Sequence, residues 1–398
     1  MPVSRPSLSA EREPVIVLGR RTAFGRRNGV LGLLAAEELL APVLAAVVAD
    51  GGVPAGRIDD VIIGNAVGGG GNVARLAALG AGFPVTVPGL TIDRQCGSGL
   101  EAIVLACRLV VAGAGNLYLA GGVESCSTAP LRAHRQSSTP GNPDFFDRVR
   151  FAPDSVGDPE MGVAAENVAE RFAISRERQD AFALRSHRLA HAATDAGEFA
   201  GEIVPLRTGP GTAGTDEGPR RTLTEGLIRR FPPVFRRDGS VTAGNSCADA
   251  DGAVVVLVTS RATAEELGIT GYLRFVDSAV SGTDPNLLGI AGAEAARTVL
   301  DRQCLAGTDL ARIEFNEAFA AQVLASLDIL GVPEERANLQ GGALALGHPF
   351  GASGALLVLR LLQQCRAAAA PGALGLAAVS IAGGLGVAAL WQWEDGRR

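Results

Sequence analysis

Apolar and polar positions along the chain change period repeatedly. "PVIVLGR" is a short apolar run and predicts a buried strand. From Leu31 to Val48 the apolar residues recur at helical spacing. "IDDVIIGNAV" predicts a strand running into a loop at Asn65, and "NVARLAALGAG" predicts the next helix. "VPGLTIDRQCGSG" follows, then a helix from about Gly99 to Val111, then the strand "NLYLAGGVES". Strands alternating with helical stretches imply an α/β fold with a mostly parallel sheet and helices on its faces.

The second half repeats this plan. "ARIEFNEAFA" matches "IDDVIIGNAV", with Asn316 in the place of Asn65. "GHPFGASGALLVLRLL" matches "QCGSGLEAIVLACRLV", and "LAAVSIAGGLG" matches "NLYLAGGVES". Asn65 to Cys96 and Asn316 to His348 each span about 31 residues. Two copies make two similar halves and not a solenoid. The halves run over 14–262 and 270–396. The first carries an inserted loop subdomain at about 122–248, polar and Arg-rich, with an amphipathic helix in "SRERQDAFALRSHRLAHAA". The longest uncharged run, Pro371 to Trp391, is broken by Gly383, Gly384 and Gly386, and reads as two buried strands and a turn.

Composition narrows the chemistry. The chain has 398 residues, 47% apolar and 5% aromatic, with 52 glycines, which favours close backbone packing. A net charge of −6 argues against nucleic acid as partner. No glycine-free apolar stretch reaches membrane-spanning length, so no membrane partner is expected. All 36 basic residues other than histidine are arginine, so a Walker A loop and a pyridoxal Schiff base are excluded. None of the six cysteines forms a CxxC pair, and no metal site is expected. Dispersed thiols and the absence of a hydrophobic leader point to a reducing cytoplasm. "MPVSRPSLSAEREP" reads as a disordered lead-in.

His348 sits alone among glycines, alanines and a proline in "ALALGHPFGASGAL". A histidine so placed serves as readily in a hydrogen-bonded structural role as in catalysis. The duplication supplies a partner, because Cys96 and His348 occupy equivalent strand-to-helix corners of the two halves. Cys96 in "RQCGSGLEA" precedes a helical run, where unpaired N–H groups favour thiolate over thiol. A buried core cysteine is the alternative. Cys107, Cys304 and Cys365 read as structural.

The blocks "RQCGSGLEA", "GGVES", "MGVAAENVAERFAISRERQDAFALRSH", "VTAGNSCADADGA", "FNEAFAAQ", "GGALALGHPFGASGA" and "SIAGGLGVA", in this order, resemble the thiolase family over nearly the full length. The resemblance implies two pseudo-symmetric βαβαβαββ halves in a five-layered αβαβα arrangement. It implies an acyltransferase that makes or breaks carbon–carbon bonds between acyl groups on coenzyme A, with coenzyme A thioesters as substrates and no permanently bound cofactor. Cys96 would carry the acyl group and His348 would take the thiol proton. Asn316 would position a water that forms one oxyanion hole with His348. The N–H groups of Cys96 and Ala382 would form another, such donors each contributing about 3–4 kcal/mol. The pantetheine arm would lie along Ser246 and Cys247, the phosphates would meet Arg220 and Arg221, and Met161 would roof the acyl pocket. For the two arginines a solvated charge pair is the alternative, and for Met161 a loop-anchoring contact.

Three positions depart from the family pattern. Ser380 stands where thiolases carry a second cysteine that moves the α-proton of the incoming acyl group. Ala382 replaces a glycine of the same block, and Gln340 alters "NLQGG". A serine hydroxyl is a far weaker acid than a thiol near pH 8.5, so its alkoxide is no resident base. Carbon–carbon chemistry with altered proton transfer is therefore expected. It would be decarboxylative with a malonyl-type extender, or would use Ser380 as a relay through water. Acyl transfer to a non-carbon acceptor, thioester hydrolysis, and a non-catalytic partner subunit are the competing readings. The segment after Pro130 looks short against tetrameric thiolases, so a homodimer is expected, with a tetramer as the alternative.

Overall fold

The computed structural model describes residues 9–395 apart from 135–141, 147 and 210. The first half builds β1 (Pro14–Arg21), α1 (Ala36–Asp50), β2 (Asp60–Gly64), α2 (Val73–Gly80), β3 (Gly89–Ile92), α3 (Ser98–Ala112) and β4 (Leu117–Ser125). An insertion carries α4 (Met161–Arg171) and α5 (Arg176–Asp195), and β5 (Ala250–Ser260) returns the chain to the sheet. The second half repeats the order with β6 (Tyr272–Gly282), α6 (Ala291–Gln303), β7 (Arg312–Phe315) and α7 (Ala320–Leu330). It continues through α8 (Ala343–Leu346), α9 (Phe350–Ala368), β8 (Leu374–Ile381) and β9 (Leu385–Glu394). The counterpart of β3 shrinks to one bridge between Ile313 and Ala337.

Side chains of a strand alternate between its faces, and here both faces are buried. Ile62, Val254, Val256 and Val258 point into a central core shared with α3 and α9. Their neighbours Val61, Ile63, Val255 and Leu257 point into an outer core under α1 and α2. In the second half Ala377, Val379 and Trp391 reach the same central core, while Leu376, Ala378 and Leu390 meet α6 and α7. The result is the layer order α, β, α, β, α. Burial on both faces explains why the strands read as continuous apolar runs.

Strand directions correct one sequence expectation. The order across the sheet is β7–β8–β9–β6–β1–β5–β4–β2–β3. Only β2 with β3, β2 with β4, and β7 with β8 pair in parallel. β9 follows β8 through a tight turn and must run against it, because strands joined by a hairpin are antiparallel. It lies between β8 and β6, antiparallel to both. β5 holds the equivalent place between β1 and β4. The sheet is therefore mixed, antiparallel at its centre. The two halves join where β1 meets β6 over Val15–Arg274 and Ile16–Leu273.

Most helix ends follow local chemistry. Gly113 closes α3 in the left-handed region at φ 71°, where a side chain would be strained. Ser175 caps α5 by accepting from Arg178 N–H. α1 begins at Ala36 and not at Leu31, because tight turns occupy the preceding residues, with Gly32 N–H on Gly29 O at 3.0 Å. Of the expected lead-in, residues 1–8 lie outside the described residues. Its end is ordered: Ala10–Arg12 form a short 3-10 turn, and Glu13 pairs with Arg261. One described span, Gln95–Ala112, which contains α3, is long and apolar enough to cross a membrane, and it is mostly buried as part of the middle layer.

Candidate active site

The middle layer positions the site. α3 and α9 pack through small residues at their first turns. A Cβ on Gly99 would sit 2.5 Å from Gly351 O, and one on Gly354 would sit 2.7 Å from Leu100 N. Only glycine permits this approach. Cys96 lies just before the first turn of α3, and His348 lies just before that of α9. Gln95, at φ 48°, holds the left-handed conformation that turns the chain at Cys96. Gly347, at φ 94°, does the same before His348.

The backbone N–H groups of Ala382 and of Cys96 itself favour charge on the Cys96 sulfur. Burial nevertheless pushes the thiol pKa up to about 12, and the charges of Glu124 and Asp93 push the same way. The sequence expectation of a thiolate-favouring helix end is thereby corrected. Burial outweighs the helix N-terminus and favours the thiol over the thiolate.

His348 stands at the matching corner, before the first turn of α9. Its Nδ1 lies 2.6 Å from Ser353 Oγ, and the Ser353 hydroxyl donates to Pro349 O at 3.0 Å. A hydroxyl has one proton to give, so Ser353 accepts from Nδ1–H. Nε2 is left with its lone pair and faces Asn316 Nδ2 at 3.5 Å. Burial lowers the imidazole pKa to about 4, which keeps it neutral at ordinary pH. Asn316 itself is buried, its N–H bonded to Ala378 O at 3.0 Å. Asn65, its counterpart in the first half, bonds instead to Glu124 Oε1 at 2.7 Å and Val123 O at 3.0 Å. One corner faces a reactive imidazole and the other is tied into the scaffold.

Ser380 is buried and saturated. Its hydroxyl donates to Gly289 O and accepts from Gly292 N–H at 3.2 Å and Gln322 Nε2 at 3.4 Å. The proton of Ser380 is committed to a backbone carbonyl, in the loop that leads into α6.

Two adjoining cavities lie near the His348 corner, the inner one reaching Gly347. The inner one, about 340 Å³, is lined by Ser246, Cys247, Ala248, Phe235, Gly347 and Arg220, among others. The outer one, about 610 Å³, is lined by Arg26, His191, Arg220, Arg221 and threonines. Arg26 and Arg220 border both. Thus Ser246, Cys247 and Arg220 line one cavity with Gly347, the residue before His348. The Cys247 N–H bonds Ala318 O at 3.0 Å and the His348 N–H bonds Ala248 O at 2.8 Å, so this segment is stitched to both catalytic loops. Arg221 borders the outer cavity but pairs with Asp195, Nη1 to Oδ2 at 2.9 Å. Met161 packs in a small apolar cluster with Leu288, Phe235 and Phe319.

Comparison with known proteins agrees with this geometry. The sequence model "Thiolase, N-terminal domain" matches residues 14–262, and "Thiolase, C-terminal domain" matches 270–393. The chain belongs to the thiolase family. A thiolase is an acyltransferase, so the protein is an enzyme of that class. Its relatives include YhfS of Bacillus subtilis, named for acetyl-CoA C-acetyltransferase activity, 45% identical over 95% of this chain and 98% of that one. VraB of Staphylococcus epidermidis, named likewise, is 44% identical over 96% and 98%. The crystal structure of the Bacillus anthracis acetyl-CoA acetyltransferase superposes with a TM-score of 0.88 at 36% identity, covering 96% of this chain and 98% of that one.

Several residues of this thiolase site escape sequence reasoning. Ser353, which sets the His348 tautomer, lies one helical turn on from Pro349 and looks like one more small residue of its block. Glu317 is buried and accepts from Ser186 at 2.6 Å, Asn338 at 2.8 Å and Leu344 N–H at 3.2 Å, bracing the Asn316 loop. Glu124 receives Asn65, Ala66, Val67 and Gly351 at 2.7–3.2 Å and so ties the two corners together. Arg26, His187 and His191 reach the cavities only through folding. Their sequence surroundings, polar and Arg-rich, resemble any solvated loop.

Proposed function

We propose that this thiolase makes or breaks a carbon–carbon bond between acyl groups on coenzyme A, through an acyl-enzyme on Cys96. The observation that carries the reading is that Cys96 and His348 stand before the first turns of two helices packed through glycines, with the His348 Nε2 lone pair facing Asn316. In the first step Nε2 takes the thiol proton as sulfur attacks the thioester carbonyl. The new C–S bond forms, the bond to coenzyme A breaks, and His348 returns the proton to the departing thiolate. Oxygen charge developing beside Cys96 would be met by the N–H groups of Cys96 and Ala382. Oxygen charge in the second step would be met by His348 and a water held by Asn316.

The ester would lie with its pantetheine arm along Ser246 and Cys247 and its phosphates near Arg220 and Arg26, where guanidinium forks suit phosphate oxygens. Arg221 would contribute after releasing Asp195. Met161 would close the acyl end from its apolar cluster.

The second step needs a carbanion at the α-carbon of the acceptor. Ser380, with its proton directed at Gly289 O, is unsuited to remove an α-proton. Proton transfer is therefore altered, or a malonyl-type ester generates the carbanion by losing CO₂. Incubation with acetyl-CoA alone, and with acetyl-CoA plus malonyl-CoA, separates these routes. A β-ketoacyl product is expected in at least one mixture. Its absence in both, with acetate or an acylated amine as the only product, would overturn the reading.

A homodimer is supported by β3, an edge strand with exposed Leu90 flanked by exposed Leu76 and Leu79. The six cysteines, unpaired as described, support a reducing, cytoplasmic setting.

A further inference from the structure

The loss of one thiol at position 380 leaves a question that the site itself answers. Of the remaining cysteines, Cys107 and Cys365 are locked in the central core between the sheets. Cys126 is buried in the scaffold, and Cys304 is exposed at the end of α6. Cys247 alone among them borders the inner cavity, which also reaches Gly347, the residue before His348.

We propose that Cys247 is the second acid–base thiol of this enzyme and removes the α-proton of the incoming acyl-CoA in place of Ser380. The inference rests on the carbon–carbon reading above. Three observations support it. Cys247 is part-buried and lines the cavity together with Ser246, Ala248 and Gly347. Its backbone is pinned between the two catalytic loops, with its own N–H on Ala318 O and the next residue's carbonyl on His348 N–H. Cys96 and Cys247 are also close enough to interact, since burial, the charge of Asp249 and that of Cys96 all push the Cys247 thiol up, and Cys247 therefore needs a base to take its proton.

The step balances without an added reagent. After acyl transfer, Cys247 gives its proton to His348 and becomes a thiolate. It takes a proton from the α-carbon of the second acyl-CoA. The carbanion attacks the thioester carbonyl on Cys96, a C–C bond forms and the C–S bond breaks. His348 then returns its proton to the Cys96 thiolate. Cys247 ends protonated and His348 neutral, as at the start.

The test uses the intact protein and its Cys247→Ser and Cys247→Ala variants. Two steps are read separately: acetylation of Cys96 by mass spectrometry, and exchange of acetyl-CoA α-protons with deuterated water. In the unaltered protein both are expected. In the variants Cys96 still becomes acetylated at saturating acetyl-CoA, any lost pantetheine contact appearing in the half-saturating concentration, and the acetylation also reports folding. Exchange and acetoacetyl-CoA formation fall by about 10²–10⁴, the usual contribution of a general base. Adding Ser380→Cys to Cys247→Ser restores part of the loss. Exchange that survives in both Cys247 variants would overturn the proposal, as would its absence in the unaltered, acetylated protein. No acetylation of Cys96 in the unaltered protein would instead overturn the reading on which it rests.

Discussion

The Ser353→Ala variant probes the one contact that decides which nitrogen of His348 is basic. Ser353 Oγ lies 2.6 Å from Nδ1 in a fully buried setting, and no other residue is bonded to that nitrogen among the described contacts. When Nε2 takes the Cys96 proton the ring becomes an imidazolium, and the Ser353 contact becomes a hydrogen bond to a charged group. Such bonds contribute about 1.5–3 kcal/mol. At about 1.36 kcal/mol per decade, acylation should slow by roughly 10- to 150-fold. Alanine also leaves Nδ1 unpaired and frees the ring to carry its proton on Nε2, where it cannot accept. The assay is single-turnover acetylation of Cys96 by saturating acetyl-CoA, followed by rapid quench and mass spectrometry. The loss should fall on the rate at saturation, with half-saturation unchanged, because Ser353 lies outside both cavities. A variant that folds and acetylates within about twofold of the unaltered rate would refute the tautomer argument.

Three further outcomes follow from the same geometry. His348 stays neutral down to about 4 and Cys96 stays protonated up to about 12, so the acylation rate should be level from roughly pH 5.5 to 8.5 and fall only on the acid side. An acid limb centred near 6.5, the ordinary histidine value, would contradict the burial argument. Arg220→Ala should raise the half-saturating acetyl-CoA concentration about tenfold, more at low salt than at high, with the saturated rate held within about threefold. Glu124→Gln removes acceptors from a carboxyl that four N–H donors share, and should lower stability by about 1–3 kcal/mol, read as a shift of the urea midpoint.

Much of this molecule is legible from its residue order. Both halves are visible because buried strands and glycine-rich helix starts recur at matching intervals, and that duplication puts Cys96 and His348 at equivalent helix starts. Strand direction is not legible, because periodicity reports burial and carries no sense of polarity. β5 and β9 therefore surprise, although the turn after β8 was visible in its glycines. The ionisation of Cys96 depends on Asp93, Glu124 and the depth of the middle layer, and a helix N-terminus read in isolation predicts the opposite sign. Ser353 acts through local contacts to His348 and Pro349, and Glu317 through tertiary contacts to Ser186 and Asn338. Nothing in their neighbours marks them. Arg220 and Arg221 are adjacent in sequence yet separate in role, one facing both cavities and the other held by Asp195.

The convergence of sulfur and imidazole is tested most directly by mapping where acetyl-CoA leaves its acetyl group, in the unaltered protein and in His348→Ala. The account predicts a single acetyl on the Cys96 peptide, formed readily in the former and almost lost in the latter. An acetyl group on another residue, or acetylation of Cys96 at an undiminished rate without His348, would contradict it.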